Sequence, residues 1–304
     1  MSSEYEFLEI ESLDGGSIAR ITLNRPAARN AQNRGMLVEL GRAFADAEAD
    51  DGIRVVILTG AGPSFSAGHD MGSELSRREI TPGPDAHPST RIHGGTRGGV
   101  EAQTLQEWHY YFANTVVWRN LRKITIAQVQ GNVLAAGLML AWACDLIVAS
   151  ADTVFADVVG TRLGMCGVEY FAHPWEFGPR KAKELLLTGD SIDADEAHRL
   201  GMVSKVFAPD ELADQTVELA RRIAQLPTMP ALLIKEAVNQ SVDNMGFYNA
   251  LNACFTLHEL NHSHWAWVTQ GAFATGTPDQ GVPSWKDAPP IQPRSKTETG
   301  TPTP

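Results

Sequence analysis

An α/β fold, with helices packed against a sheet, is predicted by three observations. Strand-like and helical segments alternate along the first two thirds of the chain. Two of the strand-like segments run directly into turns of small residues. The chain is also long enough to bury a large core: 304 residues, 43% of them hydrophobic.

The elements follow in order. "SIARITLNRP" alternates like a strand and stops at Pro26. "NRGMLVELGRAFADAEAD" then carries apolar residues at helical spacing, with Asn33 placed to cap the helix. "IRVVILTGAGPSFSAGHDM" is a β-branched strand entering a Gly/Ser/Pro loop, and "ITIAQVQGNVLAAGLMLAWACDLIVAS" reads as strand, glycine turn, helix, strand. Between these two units, residues 72 to about 105 are rich in Gly, Pro, Ser and Arg at first and lack an apolar period up to about Glu101. Their length is that of a mobile lid or surface insertion, with a disordered loop as the alternative. From "PALLIKEAVNQSV" to "WAWV" the chain predicts two helices. The division expected is a core over 1–210, a helical region over 211–270 and a Pro/Thr-rich tail over 271–304 with little to bury.

Composition excludes several classes of function. A formal net charge of -11 offers no basic surface for a nucleic-acid backbone. "MSSEYEFLEIES" lacks the basic flank and apolar core of a signal peptide, and the longest apolar run, from Val133, carries Asp145 within it. Cys144, Cys166 and Cys254 have no CxxC spacing and are an odd number, so reduced thiols and a cytoplasmic location are expected.

"FSAGHD" and "GNVLAAGLML" each follow an apolar strand and put small residues where a backbone amide must approach a ligand. Ala67 and Gly68 leave room beside the amide of His69. Ala135, Ala136 and Gly137 open a helix whose first amides lack internal partners. Two such amides aimed at one carbonyl stabilise the oxyanion or enolate of a thioester. As residues alone, the loops also read as tight turns.

Taken in order, "NRPAARNA", "VVILTGAGPSFSAGHD", "GNVLAAGLMLAWACDLIVASADTVFAD" and "GPRKAKELLLTGDSIDADEAHRLGMVSKV" resemble the enoyl-CoA hydratase/isomerase superfamily, over most of residues 5 to 270. The resemblance implies the crotonase (ClpP-like) spiral of ββα turns, with C-terminal helices that help form homotrimers or hexamers. It implies an acyl-CoA thioester as substrate, in fatty acid metabolism, with coenzyme A as part of the substrate and no separate cofactor. It assigns the oxyanion hole to the amides of His69 and Ala136. The acyl-CoA is expected against Ala27, Arg29, Ser66, Ala67, Gly68, Asp70 and Gly137, with Arg25 or Arg29 available to a phosphate.

The sequence departs from a hydratase at two positions. Where the family carries the glutamates that hold and activate water, this chain has Met139 and, depending on a one-residue insertion, Val159 or Gly160. Met139 and Val159 are therefore expected to line an acyl pocket. Three nearby groups are candidate acid/base replacements: Glu169, which follows a glycine-containing turn between apolar residues, Asp157 and His173. A hydratase-like lyase is the main expectation. The alternatives are a variant isomerase, thioester hydrolase or retro-aldol enzyme, or a non-catalytic acyl-CoA-binding protein.

"TLHELNHSHW" carries His258, Glu259 and His262 in the HExxH spacing of zinc enzymes. A zinc site needs a third ligand. Downstream of His264 there is no histidine, and the only glutamate, Glu298, lies in the tail. Phe247, Leu251, Cys254, His258 and Trp265 share one helical stripe, so His258 reads as a core or subunit-interface histidine. No metal is expected; contact of His258 or His262 with ligand or a partner is the alternative.

Overall fold

The structure, a computed structural model, describes residues 5–80, 90–95, 100–165, 169–268 and 291. Its strands are β1 (Leu8–Leu13), β2 (Ile18–Leu23), β3 (Val55–Gly60), β4 (Ile124–Val129), β5 (Asn132–Leu134), β6 (Leu146–Ser150), β7 (Val154–Ala156), β8 (Ile192–Asp193) and β9 (Lys205–Phe207). They form a sheet in the order β1-β2-β3-β4-β6-β9 and a smaller one in the order β5-β7-β8. The larger sheet is parallel except for the β1–β2 pair.

Both faces of the large sheet are covered, which is why "VVILTG" is buried at every position. Alternate residues go to opposite sides. Val55 and Ile57 join Ile18, Ile126 and Val148 beneath a C-terminal helix that contributes Leu212, Val217 and Ala220. Val56 and Leu58 face the main core, with Leu37, Leu40 and Phe44 of α1 (Arg34–Ala49).

After α1 come α2 (Glu74–Ile80), α3 (Val100–Gln106), a π-helical stretch over Glu107–Ala113 and α4 (Asn114–Arg119). The short α5 (Ala136–Trp142), α6 (Val159–Leu163) and α7 (His173–Phe177) precede α8 (Pro179–Thr188) and α9 (Ala194–Leu200). The chain then forms α10 (Leu212–Ala224), α11 (Thr228–Asn244) and α12 (Phe247–Val268). No helix among the described residues is long and apolar enough to cross a membrane.

Two sequence expectations need correction. Asn33 occupies the N-cap position of α1 but does not cap it with its side chain. Its amide donates instead to Glu79 Oε1 at 2.6 Å, while its oxygen accepts from Arg25. The stretch over 72–105 is not one unstructured insertion: α2 and α3 occupy its two ends. Buried Glu79 fastens α2 to α1, accepting from Asn33 and from the Gly35 amide at 3.2 Å. Residues 81–89 and 96–99 of that stretch, Cys166, and the tail apart from Ile291 lie outside the described residues.

Candidate active site

Three segments are stitched side by side at the end of the large sheet. Leu134 N donates to Ser66 O at 3.0 Å and Ser66 N to Asn132 O at 3.2 Å. Gln32 N donates to Gly68 O at 2.8 Å, and Asp70 N to Gln32 O at 2.9 Å. This parallel bridge uses the groups on either side of His69, so the His69 N–H points to the opposite side. Gly68 has a φ of +94° and abuts the β5–α5 turn; a Cβ there would lie 3.2 Å from Ala136 N.

Ala135 adopts φ 48° and ψ -117°, a conformation that L residues rarely hold and that clusters at functional sites. It turns the 135–136 peptide at the start of α5. Ala135 N is spent on Ala156 O at 3.0 Å, and the carbonyl of Ala135 takes the amide of Leu138 at 2.8 Å. The Ala136 amide is outside both bonds, and Ala136 lies in the wall of a cavity of about 530 Å³.

His69, Glu169 and Tyr111 make one side of that cavity. The His69 ring stacks on Tyr111, with centroids 3.6 Å apart and planes 19° off parallel. Glu169 Oε1 lies 3.4 Å from His69 Nε2, and both side chains are less than a tenth exposed. The second carboxylate oxygen of Glu169 is buried without a protein partner. Burial, followed by the charges of Glu107 and Glu169, pushes the Tyr111 phenol well up, so its hydroxyl keeps its proton.

Beneath Tyr111 the π-helical stretch brings Glu107 to the same cavity, where it meets two residues of α12. Glu107 Oε2 lies 3.0 Å from His258 Nε2 and 2.9 Å from His262 Nε2. Burial works to raise the Glu107 pKa, but the hydrogen bonds and charge of the two histidines more than reverse it, to about 2. For His258, burial is opposed first by the Glu107 hydrogen bond and then by the surrounding carboxylates, which hold it up at about 9. π-helical turns are rare and concentrate at functional sites, and here one aims both Glu107 and Tyr111 inward.

The expected site residues divide cleanly. His69, Ala136, Glu169, Arg29, Ala67, Asp70 and Val159 line the cavity. Asp157 and His173 do not; they pair with each other at 2.9 Å in the interior, and Asp157 also accepts from Val159 N. Neither is therefore an acid or base for a cavity ligand. Met139 is buried under the wall, its sulfur 3.1 Å from the Tyr170 amide. Gly137 packs on the 66–70 loop, where a Cβ would meet Ser66 O at 2.6 Å. Ser66 is fully buried, donating to Asn30 O and accepting from Gln32, whereas Ala27 is exposed outside the cavity. Gly68 shapes the loop from behind rather than lining it. Arg25 is engaged by Asp70 at 3.0 Å, which leaves Arg29 as the arginine of this pair in the cavity wall.

Glu107, Tyr111 and Arg162 line the wall without having been expected there, and His258 and His262 face the cavity, as the alternative to a core or interface role for them expected. The one available signal for the first two was "EWHYYF", a carboxylate with a run of aromatics. The carboxylate that meets the HExxH pair lies not downstream of it but 151 residues upstream of His258.

Comparison with known proteins places the chain in a family. The sequence model of the family described as enoyl-CoA hydratase/isomerase matches residues 14–86 and 90–265. A Mycobacterium tuberculosis protein named "Putative enoyl-CoA hydratase EchA13" is 69% identical over 293 residues, covering 96% of this chain and 92% of that one. A Rhizobium meliloti "Probable enoyl-CoA hydratase" is 34% identical over 242 residues, covering 79% and 83%. The solved structure of a "probable ENOYL-COA Hydratase" from Mycobacterium smegmatis superimposes with a TM-score of 0.76 at 42% identity, over 87% of this chain and 98% of that one. The chain has the crotonase fold and is an enzyme of the enoyl-CoA hydratase/isomerase family.

Proposed function

We propose that the cavity binds an enoyl-CoA thioester and hydrates it, with Glu169 as the base. The single observation that carries this reading is the Glu169 carboxylate, held beside His69 in the same cavity wall as the Ala136 amide. The thioester oxygen accepts from the amides of His69 and Ala136. Glu169 takes a proton from water as its oxygen bonds to the β-carbon. The double-bond electron pair moves onto the thioester oxygen, and a proton returned to the α-carbon collapses the enolate to a 3-hydroxyacyl thioester. Arg29 at the cavity wall meets the CoA phosphates, and Val159 supplies an apolar surface for the acyl chain.

Double-bond migration is the second reading, favoured by the same observation. One carboxylate suffices to remove a proton at one carbon and return it at another, and by the family resemblance Met139 and either Val159 or Gly160 stand where hydratases carry their water-holding pair. Incubation with a panel of enoyl- and aryl-CoA thioesters, followed by mass spectrometry, separates the outcomes. Gain of one water supports hydration, an isomer of unchanged mass supports migration, and free CoA supports hydrolysis. An unaltered panel would favour a non-catalytic binding protein.

Gly137→Ala tests the placement of the oxyanion donors. Its methyl group would meet the Ser66 carbonyl, so the two loops must part. Because losing one oxyanion donor costs about 10²–10³ in rate, kcat should fall by a comparable factor while KM changes little. An unchanged kcat would remove these amides from the mechanism.

The proposed assembly is a homotrimer or dimer of trimers in the cytoplasm, without nucleic acid or membrane. Exposed Met229, Leu233, Ile234 and Val238 of α11, with Leu257 and Leu260 of α12, supply apolar surface for contact between copies.

A further inference from the structure

The Glu107–His258–His262 cluster is not used by the reaction above, yet it faces the same cavity. Its three donor atoms form a nearly equilateral triangle: Glu107 Oε2 is 3.0 Å from His258 Nε2 and 2.9 Å from His262 Nε2, and the two nitrogens are 3.1 Å apart. As a purely hydrogen-bonded set this is crowded. Two N–H groups would converge on one carboxylate oxygen about 60° apart, with their nitrogens at contact distance. Around a shared ion the same triangle is relaxed. Ligand atoms about 2.0–2.2 Å from a metal, and roughly 90–110° apart, lie roughly 2.9–3.5 Å from one another.

We propose that Glu107, His258 and His262 form a binding site for a divalent transition-metal ion of the zinc class, with its free coordination position open to the cavity. Two imidazoles and one carboxylate are an established donor set for such ions when a coordination position stays open for water. The three atoms lie within 4.8 Å of one another in the described structure. Their supports come from different elements. The histidines are one turn apart on α12, and Glu107 opens the π-helical stretch that points it at them. Gln103, one turn before Glu107, donates its amide nitrogen to Glu107 Oε1 at 3.2 Å, so it holds the carboxylate in place.

The site departs from the peptidase pattern that the HExxH spacing suggests. Glu259 accepts from the Thr104 hydroxyl at 2.6 Å and is outside the cavity wall, so it does not serve a metal-bound water. The ion instead sits in the wall that also carries Glu169, where its open position holds a water toward the ligand. Delivery of that water to an enoyl thioester rests on the hydration reading above; the metal site itself does not.

The test uses the full chain, stripped with EDTA and titrated with zinc(II) and cobalt(II) by calorimetry, with cobalt visible absorption and thermal melting recorded in parallel. One equivalent per chain is expected, with cobalt d–d bands of a nitrogen/oxygen site and a raised Tm. In His262→Ala, which leaves the Glu107–His258 pair in place, affinity should fall by about 100-fold or more. His264→Ala, on the same helix but outside the cluster, should bind like the parent chain. Absence of stoichiometric binding and of cobalt bands in the parent chain would overturn the site without any variant having to fold. So would equal affinity in the parent chain and His262→Ala. Thioester turnover is scored separately: turnover without metal binding removes the metal site and leaves the hydration reading standing, and metal binding without turnover does the reverse.

Discussion

Glu169→Gln is expected to lower kcat on an enoyl-CoA thioester by about 10²–10⁴, the range that a positioned general base contributes. The amide matches the carboxylate in shape, so the packing against His69 survives and KM should change by no more than a few-fold. The split is informative because Glu169 has two places in the structure. One oxygen lies 3.4 Å from His69 Nε2, and the other is buried without a protein partner. A residue that only held the His69 ring would, when changed, disturb KM and kcat together. A base leaves binding in place and removes turnover. Asp157→Asn is the matched comparison. Asp157 is paired with His173 away from the cavity, so its loss should act on stability instead of on the chemical step. If Asp157→Asn abolished turnover in a folded protein while Glu169→Gln did not, the assignment of the base would be wrong.

The second large effect is on stability. Glu107 is 4% exposed, and its carboxylate lies 3.0 Å from His258 Nε2 and 2.9 Å from His262 Nε2. Glu107→Gln removes the charge but not the volume. Breaking a buried pair at one partner typically costs about 3–5 kcal/mol, because the other charge is left buried and uncompensated. Urea titrations of EDTA-treated protein should show a loss of that order. The effect depends on pH with a definite sign. The His258 pKa is raised from 6.5 to about 9, so its contribution is complete below 6.5 and is lost as pH rises through 9. The Glu107 pKa is lowered from 4.5 to about 2, so its contribution is complete above 4.5 and is lost as pH falls through 2. The difference between parent and variant should therefore be largest between pH 4.5 and 6.5 and should shrink above pH 9. A difference that grew above pH 9 would show that the pair is not the source of the stabilisation.

Much of the fold was legible because its signals are local. "VVILTG" is apolar on both faces, which a strand buried on both sides of a parallel sheet requires. Gly68 and the small residues after Val133 announced two turns where backbone comes close to backbone, and those turns do lie against each other. A side chain's role stayed hidden wherever it depends on a partner that only the fold brings near. Asp157 and Glu169 are both acidic residues near the same missing glutamate. What separates them is His173, which occupies Asp157, and the cavity, which receives Glu169. Met139 likewise sits on a helix beside the site, but its side chain turns under Tyr170 rather than into the cavity.

The HExxH stretch shows the same division. Sequence by itself determined that His258 and His262 share a helical face, because side chains four residues apart on a helix lie one above the other. It also determined the alternation of strands and helices, and the two loops of small residues. Only the tertiary structure decided that α12 lays that face against α3 and the π-helical stretch, so that Glu107 completes a three-donor cluster in the cavity wall. Helical periodicity fixes neighbours within a few turns; a contact across 151 residues is set by which surfaces the whole chain must bury together.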